Sequence, residues 1–334
     1  MSNTIGSRFK LTTYGESHGL AVGGIIDGCP SNLSIDFEAV RADLARRRQG
    51  AARQEEDAVE WLSGIKDGIT LGTPIAFSIR NKDTHPEDYE ALKDCYRPGH
   101  GDYTWQQKFG IRDHRGGGRA SARETVARVV AGAVAKQVIA PVEIHAEVAE
   151  LGPEAEGDTR GGIVSCRISG LPAGVGDPVF GKLNARLAHA MMCIPSAIGF
   201  EMGSGFAAAR MKGNDYIDRW NSLTPNPSPK ERGVDTTSSD NHPLPSPLGE
   251  EQGVRPTSTN HCGGIQGGIS NGMPVEFRVA FHPVVTLPGK VECLTESGEL
   301  RMVTVGGRHD RCHVLRTPVI VEAMAALVLA DFLV

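Results

Sequence analysis

GGIIDGCP, residues 23–30, and GGISNGMP, residues 267–274, share one frame, G-G-I-x-x-G-x-P, and CRISGLP, residues 166–172, carries the same Gly-x-Pro ending. Each reads as a short β-branched run closed by a turn. The first piece and CRISGLP each lead, after a loop, into a helical pattern. FEAVRADLARRR (37–48) places Phe37, Val40 and Leu44 on one stripe, and VFGKLNARLAHAMM (179–192) does the same with Phe180, Leu183 and Leu187. Recurring strand, turn and helix predict an internally duplicated α+β architecture and exclude an alternating Rossmann sheet.

Working outward, VIVEAMAALVLADFLV (319–334) predicts a final helix from Val319 to Leu333, apolar on most faces and therefore buried. Glu322 and Asp331 interrupt it, and it is shorter than the ~20 residues of a membrane span. The N-terminus has no signal-like apolar core, so a soluble cytoplasmic protein is expected. Seven scattered cysteines without a C-x-x-C pair fit free thiols, with neither a disulfide framework nor a zinc site. A formal charge of -5 argues against nucleic-acid binding.

Residues 220–259 stand apart in composition. They are polar, dense in Pro and Ser, and carry P-x-P-S-P at 225–229 and again at 243–247. Such a segment cannot bury enough apolar surface to fold alone, so a disordered insertion into one domain spanning 1–334 is expected. A polyproline ligand for a partner is the sharper reading.

GESHG (15–19) spells G-x-S-x-G, yet the nucleophile elbow needs a strand, a strained turn and a helix. LAVGGIIDGCP follows instead, which reads as another strand, so a serine-hydrolase assignment for Ser17 fails on context. The densest stretch is YRPGHGDYTWQQKFGIRDHRGGGRASARETVARVVAGAVAKQV (96–138). Ser121 and Glu124 have capping-box spacing before a helix that buries Val126, Val129, Val130 and Ala133. Gly116, Gly117 and Gly118 feeding a helix start suit a phosphate, although the string is neither Walker A nor G-x-G-x-x-G.

Two arginine groups, Arg46, Arg47, Arg48 and Arg53, then Arg97, Arg112, Arg115, Arg119 and Arg123, suggest a multiply anionic ligand. For Arg46, Arg47 and Arg48 the bland alternative is a solvated helix end. His18, His100 and His309 lie in turns, where they could exchange protons, and no spacing links them as metal ligands.

Together GESHGLAVGGIIDGCP, RPGHGDYT, GIRDHRGGGRASARETVARVVAGAV, NHCGGIQGGISNG and GRHDRC with VEAMAALVLAD resemble the chorismate synthase family. The resemblance implies a β-α-β sandwich of antiparallel four-stranded sheets packed with helices, assembled as a homotetramer. It also implies the anti-1,4-elimination of phosphate from 5-enolpyruvylshikimate 3-phosphate to give chorismate, dependent on reduced FMN. By similarity, His18 acts as acid toward the departing phosphate, His100 serves the reduced flavin, and Asp310 assists removal of the C6 proton. Ser17, Arg47, Arg97, Ser121, Arg123 and Arg308 would line the substrate side. Arg119, Ala120, Ser121, Pro195, Ser196, Gly267, His282, Pro283, Val284, Val285, Thr286 and Arg308 would meet the flavin. Arg47 and Arg53 match positions the family assigns to NADPH. With no nicotinamide fingerprint in the chain, an external flavin reductase is expected.

The chain departs from the family pattern at Ala120, His282, Arg311, His114 and Gln49, and is shorter around residues 145–158. The insertion falls just before NHCGG, next to the expected flavin region. A relative that binds flavin or phosphate without turnover is therefore the second reading.

Overall fold

The structure, a computed structural model, describes residues 3–51, 53, 55–154, 156–221, 256–287, 289–306 and 310–334. The first half opens with β1 (Thr4–Ile5), β2 (Lys10–Tyr14) and β3 (Ala21–Asp27), then α1 (Phe37–Arg48) and β4 (Val59–Trp61). A small hairpin, β5 (Ile65–Lys66) and β6 (Ile69–Thr70), precedes β7 (Ile75–Arg80). After β8 (Cys95–Tyr96) and α2 (Asp102–Phe109) comes the long α3 (Thr125–Val138). The second half repeats the plan with β9 (Glu143–Leu151), β10 (Gly162–Ser169), α4 (Leu183–Met192), β11 (Ala197–Met202) and the single turn α5 (Gly213–Tyr216). The hairpin β12 (Ile265–Gln266) and β13 (Ile269–Ser270), then β14 (Val275–Phe281), follow. A side sheet uses β15 (Gly289–Thr295) and β16 (Leu300–Val305) with β8, and α6 (Pro318–Leu333) closes the chain.

The two main sheets are antiparallel and equivalent. One runs β1-β2-β3-β7-β4, the other β9-β10-β14-β11, so the expected four strands are met, with the short β1 added at one edge. Helices α3 and α6 fill the layer between them, flanked by α1 and α4. Nearly every residue of α6 is buried, as its apolar periphery requires.

The duplication is real, but its register differs from the one the G-G-I frame suggested. GGISNGMP matches residues 67–74, not 23–30. Gly64, Gly68, Gly72 and Pro74 recur as Gly264, Gly268, Gly272 and Pro274, each of these glycines at positive φ. A hydroxyl closes the same clamp in both halves. Thr70 Oγ1 donates to Pro30 O at 2.7 Å and accepts from Leu33 N at 3.0 Å. Ser270 Oγ donates to Pro172 O at 2.6 Å and accepts from Val175 N at 2.8 Å. The counterpart of residues 23–30 is therefore the end of β10 with CRISGLP.

Phe37, Val40 and Leu44 do face inward on α1, which Asp36 caps by accepting from Glu38 N and Ala39 N. The second stripe is shorter than expected. Phe180 is 94% exposed, because α4 starts only at Leu183, where the Leu183 amide bonds Gly268 O. The polar segment enters and leaves at one point, with Asn221 N donating to Pro256 O at 2.9 Å and Trp220 bridged to Thr257. The expected disorder falls on residues 222–255, outside the described residues. Among the described residues no helix is long and apolar enough to cross a membrane.

Both acids in α6 have partners. Asp331 Oδ1 accepts the amides of Ser7, Arg8 and Phe9, and Arg186 takes Oδ2, tying the N-terminus to the last helix. Glu322, 2% exposed, holds Arg46 through two bonds of 2.7 Å, Lys136 at 2.7 Å and the Ala146 amide at 3.0 Å. It thereby joins α1, α3, α6 and β9. Burial pushes its carboxyl upward, yet Arg46 and Lys136 outweigh that and hold it below the ordinary range.

Glu322→Gln should therefore cost about 2 kcal/mol at pH 7, read as a lower urea midpoint, because Arg46 and Lys136 are then left with Asp43 as their one shared carboxylate. A depressed folded pKa gives stability that is present above the unfolded value of about 4.3 and fades as pH falls through the folded one. The gap between wild type and variant should accordingly narrow as the pH drops below about 4.

Candidate active site

Equivalent loops of the two halves converge at one end of the sandwich. The segments before β4 and β11, those after β7 and β14, and those before α3 and α6 all line a cavity of about 450 Å³. Arg123 and Arg316 stand at matching places, just ahead of α3 and α6. The cavity wall carries Arg47, Arg48, Arg53, Arg97, Arg123 and Arg316 against Glu55, Asp57 and Asp310, so cations prevail although the chain is acidic overall. That balance suits an anionic ligand.

Gly116 and Gly117 decide how the histidines reach this cavity. They hold φ of 62° and 85°, and a Cβ on either would lie within 3.0 Å of a ring, that of His18 for Gly116 and that of His100 for Gly117. The glycine run thus makes room for two imidazoles, and it does not lead directly into a helix start as its composition suggested. Two short 3₁₀ turns, Gly118–Ala120 and Ala122–Glu124, intervene before α3. Half of the expected capping box forms. Ser121 Oγ accepts from Arg123 N at 3.3 Å, but Glu124 turns away to pair with Arg128 at the i,i+4 spacing.

Ser17 is 1% exposed, its Oγ 3.2 Å from His18 Nδ1. His18 packs edge-on against Tyr89. Burial, then the neighbouring Arg53 charge, lowers its pKa below 6.5. Arg53 donates to Ser17 O at 2.8 Å and is gripped by Glu55 at 2.6 Å. Arg47 is buried, donating from Nε to Thr125 Oγ1 and from Nη2 to Ala122 O. Burial presses its pKa down to about 9, with Arg316 and Arg123 adding to the effect, so it stays charged at pH 7. Asp57, fully covered, bonds Arg123 Nη1 and lies 3.6 Å from Arg47 Nη1. Arg123 also donates to Asn81 Oδ1, while its buried Nη2 meets no protein acceptor.

Across the glycine run, Arg97 and His100 share Asp102. The opposite wall is more apolar, built from Pro195, Val284 and Val285 with Thr286, Ser196 and His282. Ser196, at φ 66°, lies 2.6 Å from His313 Nε2. Burial and the charges of Arg316 and His282 bring His313 down to about 4, which leaves it neutral at pH 7. Asp310 pairs with Arg316.

Of the residues singled out in the sequence, His18, Arg47, Arg53, Arg97, His100, Ala120, Ser121, Arg123, Pro195, Ser196, His282, Val284, Val285, Thr286 and Asp310 reach the cavity wall. Ser17 supports His18 from behind. Others do not reach it. Arg119 points outward to Thr13 Oγ1 at 2.7 Å, and Arg115 pairs with Asp113. Arg112 binds the carbonyls of Leu92 and Cys95 over the Tyr96 ring, and Arg46 serves Glu322. Pro283 is not among the lining residues; its carbonyl meets His282 Nδ1 and its ring lies against Gly161. Gly267 turns the β12–β13 hairpin at the far end of β14, because Val275 begins that strand and Phe281 ends it at the cavity. Arg308 and His309 lie outside the described residues. Glu55, Asp57, Tyr89, His313 and Arg316 were missed. Arg316 could have been found from its place ahead of α6, matching Arg123 ahead of α3.

Gly116→Ala should cut turnover at this cavity at least about 10-fold while leaving a folded protein, since the added methyl displaces His18 at a positive φ. Circular dichroism alongside steady-state assay checks it.

A family model for chorismate synthase matches residues 9–156 and 152–334. The chain is 44% identical to the chorismate synthase of Christiangramia forsetii, over 99% of this chain and 97% of that protein. To the chorismate synthase of Flavobacterium psychrophilum it is 43% identical, over 99% and 96%. A crystal structure of a chorismate synthase superposes with a TM-score of 0.70 at 27% identity, covering 98% of this chain and 92% of that one.

Proposed function

Because the chain belongs to the chorismate synthase family, we propose that it converts 5-enolpyruvylshikimate 3-phosphate into chorismate and phosphate with reduced FMN as cofactor. The product feeds aromatic amino-acid biosynthesis. The observation that carries the reading is a cavity rich in guanidinium groups with two imidazoles brought to it by Gly116 and Gly117.

The residues present fit such ligands. Arg123 Nη2 is buried without a protein acceptor, in a cluster whose cations exceed its carboxylates, so a phosphate or carboxylate oxygen would complete it. Pro195, Val284 and Val285 offer apolar surface for a flat ring, with Ser196, Thr286 and His282 at hand for its polar edge. Arg47, Arg97, Ser121 and Arg123 would hold the substrate's anionic groups. When bound, reduced flavin would supply electron density to the allylic system, with no net redox change overall.

The chain's own groups handle the protons. The reaction removes the C6 proton and the C3 phosphate, so it needs an acceptor at one position and an acid at the other. Asp310, paired with Arg316, would assist removal of the C6 proton, and His100 would attend the flavin side. His18 is the acid. In the free enzyme its lowered pKa leaves it mostly neutral at pH 7, and an arriving phosphate dianion raises its proton affinity. Reduction of the flavin is assigned to an external reductase, NADPH being its distant source, and the assembly to a cytoplasmic homotetramer.

Anaerobic turnover with photoreduced FMN tests the whole. Chorismate and phosphate should appear in equal amounts and fall by about 10²-fold or more in His18→Ala. Bound substrate and flavin with no product would instead support a relative that keeps the ligands without turnover. The pH profile carries a sharper expectation. A limb that falls with rising pH should appear in kcat/KM below about 6.5, stand at higher pH in kcat, and vanish in His18→Ala.

A further inference from the structure

We propose that Asp102 is a positioning residue that fixes which nitrogen of His100 exchanges protons and aims Arg97 at the same time. This rests on the functional reading given above. Asp102 is 3% exposed and opens α2. Its Oδ2 accepts from Arg97 N at 3.2 Å and from Arg97 Nε at 2.7 Å. Its Oδ1 accepts from Arg97 Nη2 at 3.0 Å and lies 3.0 Å from His100 Nδ1, with Arg112 Nη1 3.8 Å away.

The hydrogen on His100 follows from these contacts. A carboxylate oxygen offers only lone pairs, so a bare Nδ1 at 3.0 Å would set lone pair against lone pair. Arg97 Nη2, 3.2 Å from the same nitrogen, has a second hydrogen to offer, but that contact would leave the 3.0 Å approach of Oδ1 to a bare nitrogen uncompensated. Nδ1 therefore carries the proton and donates to Oδ1. Nε2 is left as the nitrogen that takes or gives a proton, over Gly117, whose missing side chain leaves the ring room. The two-point grip uses Arg97 Nε and Nη2, which leaves Nη1 for a ligand.

A carboxylate that merely neutralised arginines would need no third claimant, and Arg97 and Arg112 would suffice. Burial raises the Asp102 carboxyl, but the bonds from His100 and Arg97 outweigh it and hold the group ionised well below the usual carboxylate range. It is therefore available as an acceptor at every pH where the protein works.

Nitrogen-15 spectra of histidine-labelled wild type, with His100 assigned by its loss in His100→Gln, test the tautomer directly. Neutral His100 should be protonated at Nδ1 and bare at Nε2, and the reverse tautomer overturns the proposal. Asp102→Asn should lower kcat by about 10²-fold and raise KM through Arg97. Placed in a His100→Ala background, the same change should lower kcat by less than about 3-fold while the KM effect persists. Equal kcat losses in both backgrounds overturn the proposal. Should Asp102→Asn fail to fold, the wild-type spectra still decide. A wild type without turnover would count against the functional reading and leave the tautomer result standing.

Discussion

Everything at the cavity depends on how closely α3 crosses α6. A Cβ at Gly132 would lie within 3.0 Å of Ala323, so only glycine lets the two helices meet at this distance. Glu322, the neighbour of Ala323, secures the crossing through Lys136 of α3 and Arg46 of α1. Because α3 and α6 are the same element of two equivalent halves, their approach brings matching leader segments together. That is how Arg123 and Arg316 come to share a cavity with Arg47, which both of them disfavour electrostatically. Like charges so placed cost stability, and a rigid core must offset the cost. Asp57 and Asp310 reduce it locally.

The fold class was legible because turns are dictated by residues that tolerate few alternatives. Gly-x-Pro at 28–30 and 170–172, and the apolar periphery of residues 319–333, could be read without tertiary knowledge. The exact pairing of repeats was not. G-G-I-x-x-G-x-P is satisfied both by a buried strand leaving for a helix and by a two-residue hairpin, and the string alone does not separate them. The deciding features are the hydroxyls of Thr70 and Ser270, each reaching back some forty or more positions, well over a hundred ångströms of extended chain. Phe180 misled for a related reason, since helical spacing continued past the point where the Gly268 carbonyl sets the start of α4.

At the site, the sequence identified residue types well and directions poorly. Arginine in a glycine-rich stretch points to anions, yet Arg112, Arg115 and Arg119 turn to carbonyls, an aspartate and a threonine hydroxyl within the chain. Nothing local distinguishes these from Arg97 and Arg123. What sets Arg123 apart is Asp57, an acid distant in sequence, whereas Arg97 is held by Asp102 only five positions on. The histidines were found because each had glycine neighbours. The glycines that matter, however, belong to another segment, where Gly116 and Gly117 yield space to His18 and His100.

The same topology bears on whether the long insertion disturbs the chemistry. By sequence position it stood next to the expected flavin contacts, before NHCGG. Strand direction says otherwise. β11 starts at the cavity, Ala197 facing Phe281, and ends away from it, Met202 facing Phe277. Chain leaving from beyond Met202 and returning before Ile265 does so at the remote end, where Asn221 and Pro256 close its neck. In the first half, the corresponding place between β4 and the β5–β6 hairpin is filled by a tight connection of a few residues. A loop's closure cost rises only with the logarithm of its length, so one half can carry a long excursion there that the other lacks. The described ends of the excursion thus lie away from the cavity, where all six matching segments meet.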